Sequence, residues 1–231
     1  RELGIAHLIA TIPGQDSNTL AVMNRTSNKV AAALALNSNQ YVDQYWWVDD
    51  NRIVISIAAT RGGYDTPFAT GELFALDARS GSNLYLFGYR GGGGGGTGTH
   101  IKRSLATNAS ATVLESRADE AGTILIGISH WNGTAEGGKM ELARLNVKTA
   151  MLTKSGGTLP LRYVDNVLVD ADGNLRAVAG AAVTADKSDT SNQLWWRAGK
   201  SGEWRMLIDE KRDGKLVWPL WRMQQSDAFY V

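Results

Sequence analysis

The residues that could do chemistry by type and spacing are few. A serine nucleophile needs Gly-x-Ser-x-Gly at a sharp strand-to-helix turn. Gly127-Ile128-Ser129-His130-Trp131 comes nearest, yet Trp131 stands where the second glycine must sit, and no helical pattern follows. A phosphate loop needs Gly-x-x-x-x-Gly-Lys-Ser. Gly199-Lys200-Ser201 has Leu194 in place of the first glycine and reads as a hairpin turn. The tract Gly91 to Gly96 satisfies Gly-x-Gly-x-x-Gly trivially, but no amphipathic helix follows whose N-terminus could cap a pyrophosphate, so it reads as a flexible loop. Asp170-Ala-Asp172-Gly173-Asn174 opens like a calcium loop, but Leu175 takes the sixth position, which needs Gly, and Ala181 the twelfth, which needs Glu. It reads as a turn.

The histidines are His7, His100 and His130, and none has a partner at metal-ligand spacing, so neither a metal nor a cofactor is expected. His7 lies in a strand pattern and is expected to pack there. Arg61, Tyr64, Arg90, His100, Lys102 and Trp131 fall on the longer connections between strands, and these are the candidate binding residues. Trp46-Trp47 and Trp195-Trp196 sit in strand patterns, where packing between sheets explains at least one of each pair; a sugar-stacking platform is the alternative. Asn24-Arg-Thr26, Asn108-Ala-Ser110 and Asn132-Gly-Thr134 match the glycosylation sequon, a pattern short enough to arise by chance.

Composition bounds what surrounds these residues. A chain of 231 residues can bury a large core, roughly 75% of its unfolded surface if it forms one fold. With 24 basic and 23 acidic residues the net charge is +1, which provides no field for nucleic acid or an anionic membrane surface. The absence of cysteine excludes disulfides and thiolate metal sites without fixing a compartment. No apolar run approaches the roughly 18 residues that span a bilayer, and Arg1 to Ala6 lacks signal-peptide anatomy. The 26 glycines against 4 prolines fit a turn-rich β protein.

The elements that must position the candidates repeat. From Tyr45 to Phe87, three polar or glycine-bearing breaks separate four short runs rich in β-branched and aromatic residues, the pattern of an antiparallel meander. Ile53, Ile55 and Ile57 point to one face and Val54, Ser56 and Ala58 to the other, so neither face suits water. Such a sheet belongs between two others. Its third strand, Leu73-Phe-Ala-Leu76-Asp77, recurs as Leu20-Ala-Val-Met23-Asn24, as Leu142-Ala-Arg-Leu145-Asn146 and more weakly as Leu194-Trp-Trp-Arg197-Ala198. Its second strand recurs in step at Thr123 and Leu175. The expected architecture is all-β, a β-propeller of about four four-stranded blades, near 1–36, 45–88, 111–154 and 162–208, with the start of another at 217–231. The chain is expected to be cut within a blade at both ends. The connections Thr60 to Thr70, Gly88 to Ser110, His130 to Gly137 and Thr184 to Ser191 are longer than turns such as Ala78 to Asn83, Asn146 to Thr149 and Gly199 to Gly202. In an up-and-down meander the longer set emerges at one end.

Trp47-Val-Asp-Asp-Asn-Arg-Ile-Val-Ile-Ser, Gly71-Glu-Leu-Phe-Ala-Leu-Asp, Leu86-Phe-Gly-Tyr-Arg and Thr97-Gly-Thr-His-Ile-Lys together resemble the N-terminal propeller of bacterial serine peptidases of the prolyl oligopeptidase family. The resemblance is best over about Tyr45 to Asn146. It implies a non-catalytic ring that restricts or positions peptide substrate for a C-terminal α/β-hydrolase domain, the intramolecular partner, which carries the Ser, Asp and His. No catalytic residue is carried over to this chain. A periplasmic or secreted location is the corresponding expectation. A stand-alone binding module for carbohydrate or protein, or an assembly scaffold, is the alternative.

Overall fold

In a computed structural model of the protein, the described residues are 5–11, 18–61, 66–90, 107–116, 122–131, 140–161, 163–170, 173–183, 189–199, 202–215, 217, 221–222 and 229–230. Tyr64, the tract Gly91 to Gly96, His100, Lys102 and the Asn132 sequon lie outside them.

The described chain is all-β apart from one short helix. β1 (Ile5–Thr11), β2 (Asn18–Asn24) and β3 (Lys29–Ala35) form a three-stranded sheet. β4 (Gln40–Trp47), β5 (Arg52–Ala59), β6 (Phe68–Asp77) and β7 (Asn83–Phe87) form the second sheet. The third contains β8 (Ala109–Glu115), β9 (Thr123–His130), β10 (Glu141–Asn146) and β11 (Leu152–Thr158), and the fourth β12 (Tyr163–Val169), β13 (Leu175–Val183), β14 (Thr190–Trp196) and β15 (Arg205–Asp209). After α1 (Glu210–Asp213), β16 (Trp221–Arg222) pairs with β17 (Phe229–Tyr230). Within each sheet, strands adjacent in sequence are adjacent in space.

Several boundaries differ from the sequence reading. β4 starts at Gln40 rather than Tyr45, because Gln40 is buried and its side-chain carbonyl accepts from Asn37 N at 3.2 Å, closing the turn that enters the strand. β6 starts at Phe68, inside the connection expected to run to Thr70. The β14–β15 connection spans 197–204, longer than a tight Gly199 to Gly202 turn. α1 had no helical periodicity to announce it. Asp209 caps it by accepting from Lys211 N and Arg212 N, and Gly214 ends it at φ 65°.

The chain divides into two compact units, one of Arg1–Ala111, Ser116–Ile124 and Leu145–Leu152, the other of Thr112–Glu115, Leu125–Arg144 and Thr153–Val231. In the first, Ile53, Ile55, Ile57 and Leu76 of the second sheet pack with Leu20, Val22, Ala32 and Leu34 of the first, with Trp47 and Phe74 against the cluster. Burying each isoleucine contributes about 2 kcal/mol. The opposite face of β5, with Val54, Ser56 and Ala58, is buried as well. In the second unit, Leu125, Met140, Leu142, Leu159 and Leu161 pack with Val164, Leu175 and Val178, joined by Trp195. Trp196 packs on the other face of its sheet with Leu168, Ala177, Ala179 and Leu194. Packing therefore accounts for both members of the second tryptophan pair.

One turn recurs where the repeat predicted it. Asn24, Asp77 and Asn146 end β2, β6 and β10, and each Oδ1 accepts from the backbone N–H groups two and three residues on, at 2.8 to 3.1 Å. Each carbonyl then accepts from the residue four on: Asn28, Gly81 or Ala150. Those three residues have φ of 57°, 70° and 59°. The left-handed conformation costs an L-residue roughly 1–2 kcal/mol, which Gly81 avoids. A β-carbon on Gly81 would meet nothing within 4 Å, so its substitution isolates the backbone term. Gly81→Ala is expected to cost about 1 kcal/mol and Ala150→Gly to gain a few tenths to about 1 kcal/mol. Thermal denaturation of both variants reads this, and a lower melting temperature for Ala150→Gly would contradict the shared turn geometry.

Candidate binding sites at the sheet ends

Alternation of strand direction places the end of each second strand, the start of each third and the end of each fourth at one end of the sheet. In the second sheet this end carries Arg61, Phe68, Tyr89 and Arg90. Arg61 is exposed, and its guanidinium stands 5.6 Å from the Phe68 ring centroid, with Phe68 exposed too. Among the described residues this cation–π pair is free of hydrogen bonds and ion pairs.

Arg90 is not. Opposite Ile57 and Ala58, β6 carries Thr70 and Gly71 as a bulge. Gly71 has φ 72°, and a β-carbon there would overlap Ser110. The Thr70 hydroxyl repairs the ladder, donating to Ile57 O at 2.8 Å and accepting from Glu72 N at 3.2 Å. Glu72 follows on the face that Phe74 and Leu76 share, and it is fully buried. Three donors meet its carboxylate: Tyr85 Oη at 2.8 Å and Arg90 Nε at 2.7 Å on Oε1, and Arg90 Nη2 on Oε2. Arg90 N also donates to Tyr85 Oη at 3.2 Å. Gly88, at φ 139°, gives room for this approach, since a β-carbon there would strike Tyr85 Oη and the Glu72 side chain. A bond from Thr107 N to Gly88 O, 3.1 Å, ties the far stem of the long connection to the near one. Hydrogen bonds to Glu72 push the Arg90 pKa up; burial, and then the Glu72 charge, push the Tyr85 phenol up.

At the same end of the third sheet, Trp131 is 51% exposed. Beside it in sequence, His130 Nε2 lies 3.1 Å from Glu141 Oε2, and Lys154 Nζ lies 2.8 Å from Glu141 Oε1. The hydrogen bond from Lys154, and then that from His130, hold the Glu141 carboxyl below its ordinary value. Ser129 lies within β9 rather than at a nucleophile elbow, and Gly127 has a packing reason, because a β-carbon there would overlap Met140.

The fourth sheet has an open cleft of about 630 Å³ at this end, lined by Ala182, Val183, Asp189, Thr190, Ser191, Gln193, Met206, Asp209, Lys211 and Arg212. Lys211 pairs with Asp189. Asp209 accepts from Ser191 Oγ at 2.8 Å and Gln193 Nε2 at 2.6 Å, and these bonds hold its carboxyl below the ordinary range. The lining is balanced in charge, with apolar side chains among paired ones. Among the described residues no group of three His, Cys, Asp or Glu could hold a metal ion.

The structure thus sets Arg61 and Arg90 on one sheet end and Trp131 on another, while Tyr64, His100 and Lys102 fall outside the described residues. Sequence reasoning missed Glu72, Tyr85, Glu141 and the cleft. Glu72 alone gave a signal, as a carboxylate inside an otherwise apolar run.

Removing one partner of a buried pair leaves the other charge uncompensated. Arg90→Ala is expected to cost about 3 kcal/mol, and Tyr85→Phe about 1.5 kcal/mol, in chemical denaturation. Because the folded-state Tyr85 pKa is raised, its contribution is full below the ordinary tyrosine value of about 10 and is lost as pH rises beyond it. Alkaline destabilisation of the wild type should therefore be steeper above pH 10 than that of Tyr85→Phe; parallel curves would remove Tyr85 from this account.

No family model matches the chain, and no curated protein matches it. Among solved structures, it is similar to a chain in one described as "Complex of KlAtg21 with coiled-coil of AgAtg16", at 9% identity and a TM-score of 0.42, over 90% of this chain and 53% of that one. The chain spans about half the length of that protein. A likeness at this level bears on neither fold nor function.

Proposed function

We propose that the chain is a non-catalytic β-propeller segment that binds peptide at the elaborated ends of its sheets, and that it serves a prolyl oligopeptidase-like serine peptidase by restricting or positioning substrate for a separate hydrolase domain. The observation that carries the reading is the placement of exposed aromatics. Among the described residues, Phe68, Tyr89, Trp131 and Tyr163 are exposed, and all four lie at that same end of their respective sheets. Aromatic rings beside Arg61 and the Glu141–Lys154 pair suit a peptide, which offers apolar side chains, carbonyls and two charged termini. The succession of small meanders, each packed on a sequence neighbour within its unit, supports the blade reading.

A stand-alone binding module shares every one of these features and differs in having no hydrolase partner. The coding sequence beyond Val231 separates the two, since the peptidase reading requires a later Gly-x-Ser-x-Gly. Binding itself is read by titrating the chain with a panel of unstructured peptides of 5 to 15 residues, of about that length because the proposal concerns oligopeptides. Saturable change of tryptophan emission, weakened about tenfold by Trp131→Ala, with no turnover of the peptides, is expected. Turnover by the purified chain, or peptide binding indifferent to Trp131, Phe68 and Arg61 substitutions, would overturn it.

A further inference from the structure

At the opposite end of the fourth sheet, two arginines are arranged differently from Arg90. β13 carries a bulge: Leu168 faces Ala177 and Val169 faces Leu175, which leaves Arg176 as the extra residue. Bulges re-aim side chains and recur beside functional sites. Arg176 is 6% exposed, donates from Nε to Arg197 O at 3.0 Å, and places Nη1 3.5 Å from Asp170 Oδ2. Arg197 answers across the sheet, donating from Nε to Leu175 O at 2.9 Å. Its guanidinium lies 4.7 Å from the centroid of Trp204, a ring that itself packs on the core cluster of this unit. The planar fork is therefore fixed on one edge by Leu175 O and on one face by Trp204, while its two Nη atoms have no hydrogen-bond partner among the described residues.

Among the described residues the charges do not cancel. Asp170 is nearly buried and its oxygens are taken by Asn174, from N at 2.8 Å and from Nδ2 at 3.2 and 3.3 Å, as well as by Arg176. Two guanidiniums face one carboxylate. Burial, and then the neighbouring Arg176, push the Arg197 pKa down, which an incoming anion would relieve.

We propose that Arg197, supported by Arg176 and Trp204, is an oxyanion-binding site that takes a carboxylate or phosphate group on its open Nη edge. A planar fork already held in place loses little freedom on binding and suits two parallel hydrogen bonds to one oxyanion. The site is independent of the peptide-binding ends and stands or falls apart from them.

The test is titration of the chain with inorganic phosphate and, separately, with sodium acetate, at ionic strength held constant with sodium chloride. Thermal shift and tryptophan emission are the readouts. A saturable rise in melting temperature with either anion is expected, accompanied by an emission change from Trp204, and the arm that responds identifies the anion. Arg197→Gln should weaken the response at least tenfold, and Arg197→Lys, which keeps the charge but not the fork, should weaken it severalfold. Should Arg197→Gln fail to fold, Arg197→Lys and Trp204→Phe carry the comparison: Trp204→Phe should lose the emission change and keep the thermal shift. No saturable response to either anion, or a response that Arg197→Lys and Arg197→Gln leave intact, overturns the site.

Discussion

The constraint on which the rest depends is that β5, β9 and β13 are apolar on both faces. Ile53 and Val54, Ile124 and Leu125, and Ala177 and Val178 are adjacent residues pointing opposite ways, and all are buried. A small antiparallel sheet with such a central strand cannot stand in water, since each exposed isoleucine would forfeit about 2 kcal/mol. Each sheet therefore needs a neighbour. The first and second sheets meet through Leu20, Leu34, Ile55 and Leu76, and the third and fourth through Leu125, Leu142, Val164 and Val178.

Burial of this kind makes every polar insertion costly unless it is matched, and the insertions are matched in place. Ser56, in the middle of β5, accepts from Gln44 N at 3.0 Å and donates to Asp43 Oδ2 at 3.1 Å. Gln44 and Asp43 lie at the bulge between Val42 and Gln44, so the irregularity in β4 and the hydroxyl in β5 satisfy one another. Glu72 follows the same logic with higher stakes, because a carboxylate must be both hydrogen-bonded and charge-balanced. Only a chain that doubles back after Gly88 can bring Arg90 to it. The long connection of the second sheet is consequently rooted in the core at its first turn.

Much of the fold was legible in the sequence because period-two alternation and turn chemistry are local signals. The strand that recurs as Leu20, Leu73 and Leu142 was visible with its closing Asn or Asp, and the starts of β5, β9 and β13 at Arg52, Thr123 and Leu175 were read to the residue. What escaped was not local. α1 is set by a cap, Asp209, whose side chain also serves Ser191 and Gln193 on another strand. Gln40 belongs to a strand because of a turn closed by its own amide. The candidate sites were legible only as loops: the lengths of the connections located Arg61, Arg90 and Trp131 at one end of the sheets, but not which of them would be spent on the protein itself.

That distinction turns on what bulges place beneath an arginine. Arg90 and Arg197 are both partly exposed and both lie near an aromatic ring, 5.3 Å from Tyr89 and 4.7 Å from Trp204. At Arg90 the bulge in β6 comes just before a carboxylate in the strand, and the fork closes on Glu72, leaving a structural ion pair. At Arg197 the bulge in β13 supplies a second cation instead, and the available carboxylate, Asp170, is engaged by Arg176 and Asn174. One arginine is neutralised internally, and the other is held in place with its Nη atoms unbonded among the described residues. The same residue type, in the same kind of sheet, is thereby divided between folding and recognition by the sign of the group one strand away.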